Sequence, residues 1–266
     1  MVTGMTMVMT TVTLTLTLTG MTMGTAMTTT RIPTPMAIEA EADGLLKLAA
    51  WTSPSFPVGA FAYSHGLEWA VETGLVTDAD SLFAWAAHLI AAGAPRQDAV
   101  LLARAYRQFG DETALLETAE LAAALKGTAE LAQETVVQGA AFLRTVRAAW
   151  PDPRLDALSN RLAAEKVELA LPVAVGVSAA AHGIALAATL RFFLHGVAAN
   201  TVSAAIRLSM IGQTDGQRVT AGLEPIILST ASDAAAADPD ALWSTAPMVD
   251  WCSMRHETQH TRLFRS

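Results

Sequence analysis

Residues 169–190 read LALPVAVGVSAAAHGIALAATL. These 22 residues carry no Asp, Glu, Lys or Arg and are long enough to cross a bilayer, so the chain is either membrane-spanning or built around them as a core. Their composition argues for the core. Pro172, Gly176, His182 and Gly183 interrupt the run, and most of the rest is alanine. Leu and Ile, which drive insertion, are sparse. Two consecutive helices buried in a water-soluble core account for the stretch better than a membrane span.

The rest of the chain agrees. Of 266 residues, 52% are hydrophobic and only 16% are charged, with alanine dominant and two tyrosines. That is a helix-forming composition with enough apolar content for a sizeable core. The net charge of −8 argues against general nucleic-acid binding, which needs basic patches to displace counterions. The C-terminus runs against this balance. Residues 255–266 hold three Arg and one Glu, so the remaining 254 residues carry −10. A basic end on an acidic body suggests a contact arm. Cys252 is the single cysteine, so no internal disulfide forms, which fits a reducing compartment such as the cytoplasm.

The first thirty residues stand apart. They are uncharged and largely Thr (13) and Met (7), with strict Thr/Leu alternation over residues 13–19. They lack the basic start and continuous apolar run of a signal peptide. They read as a disordered extension, or as translation from a start codon placed too early. The expected organisation is a low-complexity extension at 1–38, an all-α domain at 39–250 and a flexible C-terminal tail at 251–266.

Helical patterning is nearly continuous after Glu39. Asp43 is placed to cap a helix ending near Trp51, and Ser53-Pro54-Ser55-Phe56-Pro57 forces an extended connection. A helix is expected over 59–73 with Gly74 as its stop. Thr77 and Asp80 form a candidate capping box, and Gly93 with Pro95 closes one helix and opens another. Residues 111–147 read as two helices broken near Gly127. Asp152 and Pro153 start the next helix, and helices follow at about 154–170, 172–182 and 186–211. Thr214 or Asp215 caps a helix that Pro225 should kink or break, and Asp238-Pro239 opens a last short one. The sum is one all-α domain of about ten helices.

Three segments could carry chemistry. The tail RHETQHTRLFRS (255–266) contains His256, Glu257 and His260 as H-E-x-x-H. On a helix that spacing puts two zinc ligands on one face with a general base between them, which makes a metallopeptidase the alternative reading. Only six residues follow His260, with no His, Asp or Glu to complete the metal, so catalysis there is disfavoured and no metal site is assigned. In Ser53–Glu72, helical spacing places His65, Glu68 and Glu72 on one stripe, read as a solvated polar face. In Asn200–Arg218, Asn200, Ser203 and Arg207 share one side of an otherwise apolar helix. Gly212–Gln217 then reads as a Gly-flanked polar turn. Neither G-x-x-x-x-G-K-[ST] nor G-x-G-x-x-G occurs, so any nucleotide chemistry belongs to a partner.

Together the three segments resemble the UreF family of urease accessory proteins. The first, LLKLAAWTSPSFPVGAFAYSHGLEWAVETGLV (45–76), is similar to that family's opening block. NTVSAAIRLSMIGQTDGQR (200–218) and RHETQHTRLFRS follow in family order and at family-like spacing. The resemblance covers about residues 44–266. It implies an all-α, non-catalytic, cytoplasmic protein that forms a homodimer and has no cofactor of its own. It further implies binding to the accessory protein UreD (UreH in some species) and, through that complex, to the GTPase UreG. Nickel passes through this assembly to the apo-urease subunits, with no membrane or nucleic-acid partner. Because the family often has an aromatic residue where His260 stands, the H-E-x-x-H pattern becomes a coincidence within a binding tail. Arg255, His256, Glu257, Arg262, Leu263, Phe264 and Arg265 are then the expected partner contacts. Gln213, Asp215, Gln217 and Arg218 are expected to meet the GTPase or brace the dimer.

Overall fold

The computed structural model describes residues 35–266, residue 239 apart, and every regular element among them is helical. Of the extension expected over residues 1–38, residues 1–34 lie outside the described residues, and residues 35–38 belong to the first helix. The elements are α1 (Pro35–Trp51), a 3-10 turn (Ala60–Ala62), α2 (Leu67–Glu72), α3 (Ala79–Ala92), α4 (Ala94–Arg107) and α5 (Glu112–Ala124). They continue with α6 (Ala129–Ala149), α7 (Pro153–Glu165), α8 (Leu171–Ala181), α9 (Leu186–Arg207), α10 (Gln213–Ala236) and α11 (Pro247–His256).

Side chains placed by sequence start these helices. Asp111 accepts from Ala114 N at 3.1 Å, Thr128 from Leu131 N at 3.2 Å and Asp152 from Arg154 N at 2.8 Å, each satisfying an otherwise orphaned donor. The capping box of α3 lies one residue beyond the expected Thr77 and Asp80 at both of its positions. Asp78 accepts from Ser81 N at 2.8 Å, and the Ser81 hydroxyl accepts from Asp78 N at 3.0 Å.

The stretch 169–190 lies at the centre. It forms α8, a turn at 182–185 and the start of α9, and α8 is buried almost all round. α9 packs against α10, α4, α3, α8, α2 and α1, and α8 is held between α4 and α6. Gly139 and Gly176 permit the closeness of these helices. A Cβ on Gly139 would stand 1.9 Å from the Leu169 carbonyl oxygen, and one on Gly176 would stand 2.5 Å from that of Leu102. No helix among the described residues is long and apolar enough to cross a membrane.

Four expectations change. The helix expected over 59–73 is a 3-10 turn followed by the short α2, because Gly59, His65 and Gly66 all take positive φ (76°, 53° and 77°). Residues 213–217 are the first turn of α10, with Gly212 at the N-cap, so Thr214 and Asp215 lie inside the helix instead of capping it. α10 continues past Pro225 unbroken. The last helix starts at Pro247, not at Asp238. The preceding connection is tied down instead: the Arg96 guanidinium lies 3.5 Å from the Trp243 ring centre, and Thr245 N donates to the Ala92 carbonyl at 2.7 Å.

Candidate functional site

α2 is only six residues long, but its Glu68 organises the C-terminus. The tail expected to hang free is folded onto the body. Glu68 Oε1 accepts from Leu263 N at 2.6 Å and its Oε2 accepts from Phe264 N at 3.0 Å, so one carboxylate holds two successive backbone amides. The same Oε2 lies 3.0 Å from Nε2 of His256, the last residue of α11. Nδ1 of that fully buried ring lies 3.0 Å from Glu130 Oε2, and Glu130 Oε1 accepts from Arg262 Nη1 at 2.7 Å.

One turn further along α6, Glu134 repeats the arrangement. Its Oε2 accepts from the Ser266 hydroxyl at 3.0 Å, and its Oε1 meets His65 Nε2 at 2.8 Å and Gln138 Nε2 at 2.8 Å. The Ser266 carbonyl accepts from Ser64 N at 2.7 Å, and Arg265 N donates to the Ala62 carbonyl at 2.7 Å. Gln259 donates to Glu72. Phe264 is buried, with the Arg207 guanidinium 4.3 Å from its ring centre. Asn200 Nδ2 steadies the underlying backbone by donating to the Tyr63 carbonyl at 3.1 Å.

The close approach has a backbone cause. A Cβ on Gly66 would stand 2.6 Å from Ser253 N, so glycine there lets α11 lie directly on the start of α2. A buried carboxylate is costly unless paired and hydrogen-bonded, and Glu68, Glu130 and Glu134 each take at least two partners from the tail or its supports. At His65 burial favours the neutral ring, but the Glu134 charge and hydrogen bond oppose it and hold the imidazole above its ordinary value. Burial pushes the Cys252 thiol up to about 11, which leaves it inert.

The structure thus joins segments that sequence reading kept apart. His65, Glu68 and Glu72 do not form one solvated stripe: His65 precedes the helix, and Glu68 is buried beneath the tail. Of the tail residues, His256, Arg262, Phe264 and the backbones of Leu263 and Arg265 are committed within the chain. Glu257 accepts from Ala129 N at 3.2 Å at the start of α6. Arg255 is exposed, its guanidinium 5.2 Å from the Trp69 ring centre, and the Leu263 side chain is exposed. Gln213, Asp215, Gln217 and Arg218 lie at the exposed start of α10, where Arg218 pairs with Asp215 at 2.7 Å. Sequence reading missed Glu130 and Glu134. The signal was Glu130, Glu134 and Gln138 at i, i+4 and i+8 in an alanine-rich helix, a polar line that had to find partners.

Beside the clamp lies a cleft of about 260 Å³, walled by Trp51, Phe56, Phe142 and Phe193 and reached by His65 and Asn200.

The metallopeptidase alternative fails on this geometry. His256 ends α11 and both its ring nitrogens face carboxylates, while His260 is exposed in the irregular segment beyond the helix. The two rings share no helix face. Among the described residues no group of three His, Cys, Asp or Glu side chains could hold a metal.

The family model described as UreF matches residues 76–224. The chain belongs to the UreF family. A urease accessory protein UreF of Rhodopseudomonas palustris (strain BisB5) is 49% identical over 247 residues, covering 90% of this chain and all of that protein. The urease accessory protein UreF of Xanthobacter autotrophicus is 52% identical over 224 residues, 84% of this chain and 91% of the relative. That of Bradyrhizobium diazoefficiens is 49% identical over 228 residues, 85% and 93% respectively. In this UreF chain the clamp unites the first and last of the three segments that carry the resemblance, and Asn200 and Arg207 of the middle one brace it.

Proposed function

We propose that this chain is a urease accessory protein that supports maturation of apo-urease without catalysis of its own. It would act in the cytoplasm, as a homodimer, bridging UreD (UreH) and the GTPase UreG while nickel passes to the urease subunits. The observation that carries this reading is the identity of 49% over the whole length of a relative named urease accessory protein UreF. The geometry adds a surface. Met248, Trp251 and Met254 project from the outer side of α11, where Val249, Cys252, Ser253 and His256 form the inner side. Trp251 meets Trp69 edge-on at 6.5 Å, Arg255 lies over Trp69, and Leu263 is exposed nearby in sequence. Aromatic and Arg anchors of this kind dominate protein interfaces.

On this reading Trp251, Met254, Arg255 and Leu263 face UreD. The buried residues of the tail shape that surface from below, and Gln213, Asp215, Gln217 and Arg218 serve the dimer or the GTPase. Trp251→Ala combined with Leu263→Asp should leave the far-UV spectrum and melting curve intact while UreD co-purification falls by at least about tenfold, the loss of one or two interface anchors. Capture of UreD at the wild-type level would remove this surface from the reading. Expression of the urease operon with and without the chain tests the function itself: urease nickel content should drop when the chain is absent, and equal nickel content would refute it.

A further inference from the structure

The cleft beside the clamp has room for a molecule. It measures about 260 Å³, with Trp51, Phe56, Phe142 and Phe193 on one side and Leu48 and Val197 beside them. A cavity of about 150 Å³ with an apolar lining of this kind already admits benzene. The larger volume takes a single ring with a short substituent. The cleft is also reachable. Pro54, Phe61 and Ser203 line it and are exposed, so it opens to solvent between the 53–61 segment and α9. One donor on the aromatic wall is unused: Trp51 is buried, and its Nε1 has no hydrogen-bond partner among the described residues. A buried indole N–H normally finds an acceptor, and leaving one unpaired is costly. We propose that the cleft is a binding site for a small neutral aromatic compound, one ring in size, whose hydrogen-bond acceptor takes the Trp51 indole proton.

The walls select for a neutral ring. Trp51 meets Phe142 edge-on at 5.6 Å, and Phe56 lies 5.2 Å from Phe142. Rings that touch one another form a continuous wall instead of a cage, so a flat ring has a face to lie against and an ammonium group has no box to enter. At the polar end the charges are committed to each other. Lys126 pairs with Asp98 at 2.5 Å and His65 with Glu134 at 2.8 Å. Asp250 adds a further carboxylate to that end, which repels an anion. Burial of the ring's apolar surface supplies most of the affinity, and the acceptor fixes its orientation. Water is the weaker occupant at this wall, because the aromatic rings lack the polar partners that hold a water molecule in place. The site is independent of the partner that α11 meets.

Acetophenone, a ring with a carbonyl acceptor, is the probe. Ethylbenzene is its acceptor-free analogue, and benzoate and benzylamine are the charged ones. Titrated into the isotope-labelled full chain, acetophenone should shift the Trp51 indole N–H resonance, which is assigned by its loss in Trp51→Phe. The dissociation constant should be about 1 mM or tighter, the scale for so small a ligand. Benzoate and benzylamine should bind at least about tenfold more weakly, since each carries a charge into an apolar site. Trp51→Phe keeps a ring in the wall and removes the donor. Read at the Gly196 amide, its affinity for acetophenone should fall by about fivefold, the worth of one neutral hydrogen bond, while its affinity for ethylbenzene stays level. Val197→Phe should fill the cleft and abolish binding of both neutral probes at an unchanged far-UV spectrum. If Val197→Phe does not fold, the two probes on Trp51→Phe decide the question. An unmoved Trp51 indole signal would overturn the proposal. So would tighter binding of benzoate or benzylamine, undiminished binding in folded Val197→Phe, or a Trp51→Phe variant without a selective loss of acetophenone.

Discussion

Glu68 does the work of a cap for a segment that has no regular structure. Its buried carboxylate accepts two successive backbone amides and meets the buried ring of His256. Glu68→Ala leaves those donors buried and unpaired, which should cost about 3–5 kcal/mol, the scale for breaking one side of a buried charge pair. Urea denaturation checks this, and a loss below about 1 kcal/mol, the range of an ordinary surface substitution, would contradict the role given to Glu68. His65 makes a second prediction. Its imidazole is held above its ordinary value near 6.5 despite burial, because Glu134 favours the charged form. Its contribution to stability is therefore complete below the unfolded value and is lost as pH rises through the higher folded value. Stability measured from about pH 6 to about pH 9 should decline less steeply in His65→Gln than in the wild type, since the ordinary imidazole value lies inside that window. Parallel slopes would show that the His65–Glu134 contact contributes nothing.

At the scale of elements, helices were legible where side chains announce them and obscure where backbone conformation decides. Asp111, Thr128, Asp152 and Pro153 mark helix starts by local hydrogen bonding and fixed φ, and the structure places α5, α6 and α7 behind them. The segment 59–73 misled because its apolar spacing is helical while His65 takes positive φ, an unfavourable state for a residue with a Cβ unless its surroundings impose it. Glu134 imposes one such tie. The closeness of α6 to the lead-in of α8 is a packing property with no pattern in either segment alone. Gly139→Ala should force the two apart, because its Cβ would fall 1.9 Å from the Leu169 carbonyl. The expected cost is about 2 kcal/mol or more, as for overpacked cores. A melting temperature unchanged in that variant would mean that the helices are not held this closely.

Across the whole molecule, the C-terminal segment is part of the fold. Deleting residues 255–266 removes buried His256 and Phe264 and strips partners from Glu68, Glu130 and Glu134. The truncated chain should therefore lose several kcal/mol of stability, as expected when buried carboxylates lose their counter-charges, besides any loss of partner binding. Equal stability of the full and truncated chains by chemical denaturation would show that the tail contributes only a contact arm. The all-α class, the burial of most of residues 169–190 and the family were legible in the chain itself, because periodicity, caps and long motif blocks are local or linear properties. That the first and last motif blocks form one site emerged from the folded arrangement alone. The physical reason is that Glu68, Glu130 and Glu134 take their meaning from donors more than a hundred residues away. A polar residue in a helix looks solvated until folding sets another segment against it.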